Sequence, residues 1–119
     1  MLQDRATSEE SHERFIRRIL EHRAVWGLRS PQGWAMCAST QFEDCDVIPF
    51  WSDRALAQRA AKEEWSTYEP TSIALPEFID DWLRGMHRDG VLVGTNWDAN
   101  NCGLEVEAIA LAQRLDGTE

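Results

Sequence analysis

The segment from Asp98 to Gly103 comes nearest to a metal-binding motif in this sequence. It begins like a calcium loop, with Asp98, Asn100 and Gly103 at the first, third and sixth positions. The fifth position holds Cys102, where calcium requires an oxygen donor, and the twelfth holds Ile109, where a bidentate glutamate belongs. The pattern therefore predicts a polar turn, and the sequence predicts neither a metal nor another cofactor.

Histidine and cysteine chemistry is equally weakly supported by the spacing of these residues. His12 and His22 lie about 80° apart around a helix, so they cannot form a close ligand pair. No serine stands between glycines in a nucleophile-elbow motif. The cysteines form neither a closely spaced zinc-ligand pair nor an even disulfide set, so we expect reduced thiols of undetermined reactivity: Cys37, Cys45 and Cys102.

A group of carboxylates on one predicted helix is better explained by solvent exposure than by acid–base catalysis. Glu77, Asp80 and Asp81 lie opposite the apolar stripe of that helix and near its N-terminus. Catalytic carboxylates need burial of one member to raise its pKa, whereas a helix N-terminus already stabilises negative charge. The sequence therefore favours a protein that is not an enzyme.

Four segments have apolar residues at helical spacing. The first follows a capping box formed by Thr7 and Glu10, and the second follows Ser52 as a predicted cap. The predicted helices cover residues 8–22, 52–64 and 76–88, and a stretch that follows residue 106 and ends near residue 115.

Short strands fill the segments between these helices. A turn at Pro31 predicts a hairpin of residues 24–29 and 33–40, with Trp26 opposite Cys37 and Arg29 opposite Trp34. Pro49 predicts an edge position or a strand end for residues 47–51. Further extended segments are predicted at residues 72–75, 91–97 and 104–106. Together these elements predict a small single-domain α+β fold, with a mainly antiparallel sheet of about five short strands packed with about four helices.

A chain of 119 residues fits one domain. We predict a frayed N-terminus over residues 1–7, a single α+β domain over residues 8–116 and a C-terminal tail over residues 117–119. Met1 to Phe15 has no apolar core, so no signal peptide is expected and the predicted location is the cytoplasm.

The charge balance restricts the classes of partner. The chain has 12 basic and 21 acidic residues and a formal net charge of −9. Nucleic acid and anionic membranes would be repelled, because both are bound mainly through Lys and Arg. A basic protein would be attracted. The alternative is that the charge serves only solubility.

Tryptophan is unusually frequent, with six residues in this short chain. Trp82 belongs to the core by its helical spacing, whereas the others lie near strand ends or turns. Tryptophan is common at the centre of protein interfaces and in ligand pockets, but it also fills the cores of small proteins. The core interpretation is favoured, followed by a protein interface and then a ligand pocket.

Four segments resemble a small bacterial family known as the domain of unknown function numbered 2750. They read VWGLRSPQGWA (Val25–Ala35), IPFW (Ile48–Trp51), EWSTYEPTSIALPEFIDDWL (Glu64–Leu83) and DGVLVG (Asp89–Gly94). The resemblance extends from about Glu13 to Leu115. It implies a compact single-domain α+β fold and implies no catalytic activity.

The leading hypothesis is a non-catalytic protein-binding module, one form of which is an immunity-type protein that neutralises a cationic toxin. The alternative is a small-molecule-binding regulatory domain or an undiscovered enzyme with an aromatic-lined pocket. A purely structural oligomer is a third interpretation, and the sequence leaves the oligomeric state open. The predicted partner-binding residues of the leading hypothesis are Asp44, Asp46, Trp51, Tyr68, Glu69, Trp97 and Asp98.

Overall fold

The computed structural model describes residues 5–98 and 103–116, with side chains from Thr7 onward. Four helices alternate with short strands. Helix α1 spans Arg5–His22, α2 spans Arg54–Ala60, α3 spans the consecutive segments Leu75–Glu77, Phe78–Leu83 and Arg84–Asp89, and α4 spans Ala108–Asp116. The middle segment of α3 is π-helical and the outer two are α-helical. A 3-10 turn, Glu63–Trp65, follows α2.

Seven short strands form two sheets in the described residues. The strands are β1 Ala24–Ser30, β2 Gly33–Trp34, β3 Cys37–Ala38, β4 Asp46–Phe50, β5 Glu69–Ala74, β6 Leu92–Thr95 and β7 Leu104–Val106. The first sheet has the order β2-β1-β5 and is antiparallel. The second has the order β3-β4-β6-β7, and its central pair, β4 and β6, is parallel.

A backbone bridge joins the two sheets. The amide of Trp26 in β1 donates to the carbonyl of Trp51 at 2.9 Å, and the amide of Trp51 donates to the carbonyl of Trp26 at 2.7 Å. Because Trp51 directly follows β4, this bridge connects the middle strand of the first sheet to the second sheet. The two sheets therefore share one helix-covered core region.

Apolar residues of the strands alternate between two clusters, because successive side chains of a strand point to opposite faces. Ile48 and Phe50 pack with residues of α1, α3 and α4, whereas Val47 and Trp51 pack with α2 and with Trp65. Three helices therefore cover one face, and α2 with the 3-10 turn covers the other. This single α+β domain matches the predicted fold class.

The glycines near the end of the second sheet are explained by Trp97. Its indole lies against Gly94 and Gly103, and a Cβ atom built on either glycine would lie 2.5 Å from the ring. The indole nitrogen donates to the carbonyl of Leu104 at 2.9 Å. A side chain at Gly94 would displace this buried ring, which accounts for the glycine that ends the segment DGVLVG.

The hairpin register was predicted correctly at its turn and wrongly at its open end. Arg29 lies opposite Trp34, as predicted. Cys37 does not lie opposite Trp26, because β2 ends at Trp34 and the chain then crosses to the second sheet. There Cys37 pairs with Val47.

Of the two positions predicted for Pro49, the sheet edge is wrong and the strand end agrees with the structure, because Pro49 is the penultimate residue of β4. Pro49 lies opposite Gly94 in β4, between β3 and β6. Strand β3 pairs only with Asp46 and Val47, so no strand partner lies beside the proline on that side. A strand interior to the sheet can therefore accept a residue without an amide hydrogen.

Two predicted helix starts differ from the structure. Helix α1 begins at Arg5, so Thr7 lies inside the helix instead of capping it. Helix α2 begins after Asp53 and ends at Ala60, shorter than predicted, and Ser52 does not cap it. The reason is that the amide and hydroxyl of Ser52 are bound to Asn96 and Asp53. The strand count is also higher than the predicted five, because two-residue strands carry too little pattern to detect.

Candidate functional site

The carboxyl ends of the parallel strands β4 and β6 carry a buried polar cluster, which we call the strand-end junction. This is the edge at which open α/β sheets place their ligands, so it is the first candidate site. The amide of Ser52 donates to Asn96 Oδ1 at 2.8 Å, and Asn96 Nδ2 donates to the Ser52 hydroxyl at 3.1 Å. Both residues are buried, and Asn96 has a φ of 46°. Asparagine tolerates this left-handed conformation better than most residues.

Helix α1 supplies a cation to the strand-end junction. Arg18 forms two parallel hydrogen bonds with the Asp53 carboxylate, at 2.9 and 2.8 Å. The Ser52 hydroxyl also donates to Asp53, at 2.8 Å. Burial acts to raise the pKa of Asp53, but the hydrogen bonds from Arg18 and Ser52 outweigh it, and the pKa is lowered. Asp53 is therefore ionised at neutral pH and unsuited to act as a general acid.

His12, which precedes Arg18 in α1, contacts the end of β6. Its Nδ1 lies 2.9 Å from the hydroxyl of the buried Thr95. Burial lowers the pKa of His12, and the nearby charge of Arg114 lowers it further against an opposite contribution from Glu13. The imidazole is therefore neutral at pH 7 and ties α1 to the sheet.

These contacts give the strand-end junction a structural role. Ser52, Asp53, Asn96 and Thr95 have their partners within it, and its two parallel strand ends are covered by α1. The Ser52 hydroxyl donates to the Asp53 carboxylate, and that carboxylate is itself held by two hydrogen bonds from Arg18.

The second candidate region is the loop of residues 39–45 between β3 and β4, which we call the acidic loop. A buried carboxylate anchors its start: Glu105 of β7 is 9% exposed. It accepts hydrogen bonds from the Ser39 hydroxyl at 2.6 Å, the Thr40 amide at 3.1 Å and the Thr40 hydroxyl at 3.0 Å. Burying a carboxylate is costly unless it is hydrogen-bonded in this way.

Further hydrogen bonds fix the rest of the acidic loop. The Ser39 hydroxyl oxygen accepts from the amides of Gln41 and Phe42, each at 3.0 Å. The Ser39 amide donates to the Cys45 carbonyl at 2.9 Å and closes the loop. Asp44 has a φ of 62°, a left-handed conformation that Asp and Asn adopt more readily than other side chains. Hydrogen bonds therefore anchor both ends of the loop and the backbone up to Phe42.

This fixed loop presents an aromatic ring to solvent. Phe42 is 53% exposed, the largest exposed fraction among the large apolar side chains of the described residues. Phe42 and Cys45 border a cavity of about 250 Å³ between the acidic loop, the end of α3, the start of β6 and the start of α4, which we call the loop cavity. Its other lining residues are Met86, His87, Gly90, Val91, Leu92, Glu107 and Ala108.

The rim of the loop cavity is negative. Glu43 and Asp44 lie between Phe42 and Cys45 in the chain, and Glu107 lines the cavity itself. All three are exposed, and none forms an ion pair within the described part of the chain. The adjacent Arg88 is paired with Asp89 at 3.4 Å. Apolar surface and unpaired carboxylates thus meet at one place.

The thiol of Cys37 is expected to react only slowly at neutral pH. Burial raises its pKa to about 11, with further contributions from the negative charges of Glu105, Glu64 and Asp46. Cysteine reactivity requires the thiolate. Asp46 at the start of β4 and Glu64 in the 3-10 turn thus both act on the environment of Cys37.

The predicted partner-binding residues do not form one exposed patch. Trp51 and Trp97 are buried, and the Trp51 indole donates to the Trp97 carbonyl at 3.0 Å. Tyr68 is half-buried against the cluster that contains both tryptophans, and Asp98 is half-buried. These four residues are therefore buried or half-buried and do not form an exposed contact surface. The remaining three are exposed: Asp44 in the acidic loop, Asp46 in β4, and Glu69 in β5 of the other sheet.

The sequence interpretation missed three residues that build the loop cavity region. Phe42 is an isolated aromatic between polar and acidic neighbours, a signal that could have indicated an exposed ring. Glu107 follows a strand in a position with no distinctive pattern. Glu105 alternates with Leu104 and Val106, which would place a charged residue on either face of the strand, so its burial could not be read from the pattern.

No metal site or membrane span is found in the region the structure describes. Across residues 5–98 and 103–116, no group of three or more His, Cys, Asp or Glu side chains is arranged to hold a metal ion. Over the same residues, no helix combines the length and apolar character that crossing a bilayer requires. The predicted turn from Asp98 to Gly103 falls largely on residues 99–102, which lie outside the described residues.

Comparison with known proteins gives a family and no activity. No curated protein and no solved structure matches the chain. The model of the family described as "Protein of unknown function (DUF2750)" matches residues 12–115, which is most of the chain and nearly the range of the resemblance seen in the sequence. The chain therefore belongs to the DUF2750 family.

Proposed function

We propose that this protein is a non-catalytic protein-binding module that engages a basic protein through the acidic loop and the surface beside it. The observation that carries the proposal is the fixed presentation of Phe42 beside Glu43 and Asp44. A rigid loop that exposes an aromatic ring has already lost the conformational entropy that binding would otherwise cost. Aromatic side chains of this kind commonly contribute most to interface affinity.

The charge of the protein supports the same proposal. The net charge of −9 attracts a cationic partner over a distance and accelerates association. The acidic loop contributes to that attraction, because Glu43 and Asp44 are exposed, form no ion pair among the described residues, and are followed in the chain by the exposed Asp46. The carboxylates would act mainly on the association rate, and Phe42 mainly on the dissociation rate.

A cationic toxin is one class of partner with the required chemistry. An acidic protein neutralises such a toxin by covering basic residues that would otherwise contact a polyanionic substrate. This immunity-type role is the finer form of the proposal. This role requires only that the protein binds the toxin and covers its basic residues. No catalytic group is needed, which agrees with the strand-end junction, where the polar side chains are hydrogen-bonded to one another.

The test is capture of partners from a lysate of the source organism at low and high ionic strength. The test variant carries Glu43→Gln and Asp44→Asn, and asparagine keeps the left-handed backbone of Asp44 possible. The matched control carries Asp80→Asn and Asp81→Asn, which changes the net charge equally at exposed residues in the middle of α3. We expect a basic partner that is retained by the control and lost or weakened in the test variant.

Equal loss of the partner in both variants would show that only net charge matters and would overturn the role of the acidic loop. Recovery of no basic partner by the native protein would overturn the proposed function itself. Mixing the captured partner with the native protein at low and at high ionic strength also measures the association rate. We expect this rate to fall steeply as the salt concentration rises.

A small-molecule-binding role is the second candidate, because the loop cavity is enclosed largely by apolar residues, as ligand pockets are. A metabolite screen followed by the thermal midpoint of unfolding distinguishes the two. A saturable increase with one compound class would favour the small molecule, since any ligand that binds only the folded state stabilises it.

A further inference from the structure

We infer that the loop cavity is a socket for one apolar side chain of the partner, carried on a segment with Lys or Arg on both sides of it. This inference rests on the proposed function and specifies its recognition chemistry. It requires three properties of the cavity: a size that fits a single side chain, an apolar wall, and a negative rim.

The size of the cavity favours a side chain over a larger ligand. Its volume is about 250 Å³. Pockets for drug-sized ligands have volumes of roughly 300–1,000 Å³, whereas an apolar cavity of about 150 Å³ already accepts benzene. The loop cavity therefore accommodates the ring of a phenylalanine or the branched end of a leucine.

The wall of the cavity suits an apolar anchor. Met86, Val91, Leu92 and Ala108 contribute aliphatic surface. Methionine adapts to different partner shapes because its side chain is unbranched and polarisable. Phe42 lies at the border of the cavity, where its exposed ring can cover an inserted side chain and exclude water from the contact. Such exclusion of water is a property of interface hot spots.

The rim of the cavity selects the residues on either side of the anchor. The acidic loop borders the cavity through Phe42 and Cys45 and carries the exposed Glu43 and Asp44 between them, and Glu107 lines the cavity at the start of α4. A segment that crosses the cavity from the acidic loop to α4 would therefore pass carboxylates at both ends, and Arg88 is paired with Asp89. Lys or Arg on both sides of the anchor would therefore be favoured, and Asp or Glu would be repelled.

The experiment uses selection from a library of random dodecapeptides on the full-length protein, with Cys45 as the reporter of the cavity. Cys45 is half-buried and lines the cavity. The Cys102→Ser background removes a third thiol, and the Cys37 thiol, with a pKa of about 11, reacts slowly at neutral pH. The rate of Cys45 alkylation by N-ethylmaleimide then reports whether the cavity is occupied.

We expect the selected peptides to share one Leu, Met or Phe with Lys or Arg on both sides, and to slow Cys45 alkylation at least tenfold at saturation. Replacement of the apolar residue of a selected peptide by serine should weaken binding about tenfold or more. In the protein, Phe42→Ala should weaken binding by a similar factor. Met36→Ala is the matched control, because Met36 is 47% exposed and does not line the cavity.

Other outcomes would overturn the inference. Basic peptides that share no apolar residue, or that leave the alkylation rate of Cys45 unchanged, would remove the socket and leave the proposed function standing. Selection of no basic peptide would remove both. A fall in alkylation rate with protein concentration alone would identify a second copy of the chain as the occupant, and protection by a neutral metabolite would identify a small molecule.

Discussion

The strand-end junction and the acidic loop are both built from polar residues, but they differ in what remains unpaired. In the junction, Arg18 pairs with Asp53, and Asn96 pairs with Ser52. Beneath the acidic loop, Glu105 of β7 accepts hydrogen bonds from Ser39 and Thr40, whereas the exposed Glu43 and Asp44 form no ion pair with any residue that the structure describes. In the strand-end junction, the polar groups bind one another and hold α1 against the sheet. In the acidic loop, the buried carboxylate of Glu105 anchors a loop whose other carboxylates are exposed to solvent.

The difference between the two regions teaches that the position of a polar cluster in the fold does not by itself indicate a ligand site. Whether its polar groups already have hydrogen-bond partners is the better guide. The strand-end junction lies where open α/β sheets bind their ligands, yet its groups are committed to one another. The loop cavity lies at the opposite, amino-terminal ends of β4 and β6, and its apolar wall and the carboxylates beside it have no partner among the described residues. Substitutions in the two regions should therefore have opposite consequences: loss of stability in the first, and loss of binding in the second.

The largest expected effect on stability comes from Asn96→Ala in the strand-end junction. The substitution leaves the buried amide of Ser52 without its acceptor, removes one of the two hydrogen bonds of the Ser52 hydroxyl, and places alanine at a φ of 46°. Together these costs amount to about 2–4 kcal/mol in the free energy of unfolding. Urea denaturation measures the change. Asn96→Gly is the control, since it retains the backbone freedom and isolates the hydrogen bonds. A change below 1 kcal/mol for alanine would contradict the structural role of the junction.

The next largest effect is expected from Glu105→Ala beneath the acidic loop. The donors of Ser39 and Thr40 lose their acceptor, which costs about 1–3 kcal/mol. The amides of residues 39–45 should exchange with solvent faster, because the loop is no longer anchored. Hydrogen exchange measured by mass spectrometry reports this change. The exchange of α1 should stay as in the native protein, and uniform acceleration of both segments would mean that Glu105 acts on the whole fold.

A smaller effect is expected from pH through His12. Because burial lowers its pKa in the folded state, the unfolded chain binds the proton first as pH falls below about 6.5. Stability is therefore full above that pH and decreases as pH falls toward the folded pKa. Denaturation at pH 7.5 and 5.5 should show a smaller decrease for His12→Gln than for the native protein. Identical decreases in the two proteins would show that His12 does not contribute.

The smallest effect on stability is expected from Phe42→Ala, although the same substitution should have a large effect on binding. Phe42 is more than half exposed, so little apolar area returns to water. The free energy of unfolding should change by less than about 0.5 kcal/mol, as for most surface substitutions. Thermal and urea unfolding of Phe42→Ala beside Met36→Ala test this expectation. A loss of several kcal/mol would mean that Phe42 belongs to the core and is not a contact residue.

The long periodic elements of the fold could be predicted from the sequence, and the contacts between distant segments could not. The apolar spacing of α1 and α3 predicted both helices within a few residues of their ends. The turn at Pro31 fixed the pairing of Arg29 with Trp34. The transfer of Cys37 to the second sheet depends on β4, a segment distant from the hairpin turn. No local pattern records such a pairing.

The exposure of the predicted partner-binding residues could be inferred from the sequence only in part, and their role in binding stays a prediction. The acidic composition of residues 43–46 indicated Asp44 and Asp46, which are exposed as expected. The tryptophans near strand ends could equally be core or surface residues, and tertiary packing buries Trp51 and Trp97. Glu105 acts across 66 residues of sequence on Ser39, so only the folded chain shows why the acidic loop is rigid.

The most direct test of the central claim is an amide chemical-shift map of the protein during titration with a selected basic peptide. The claim is that the acidic loop and its cavity bind, and that the strand-end junction only supports the fold. We expect the signals of residues 39–45 and 86–92 to move, while those of Arg18, Ser52 and Asn96 stay in place. Shifts concentrated at the strand-end junction, with the acidic loop unchanged, would contradict the claim.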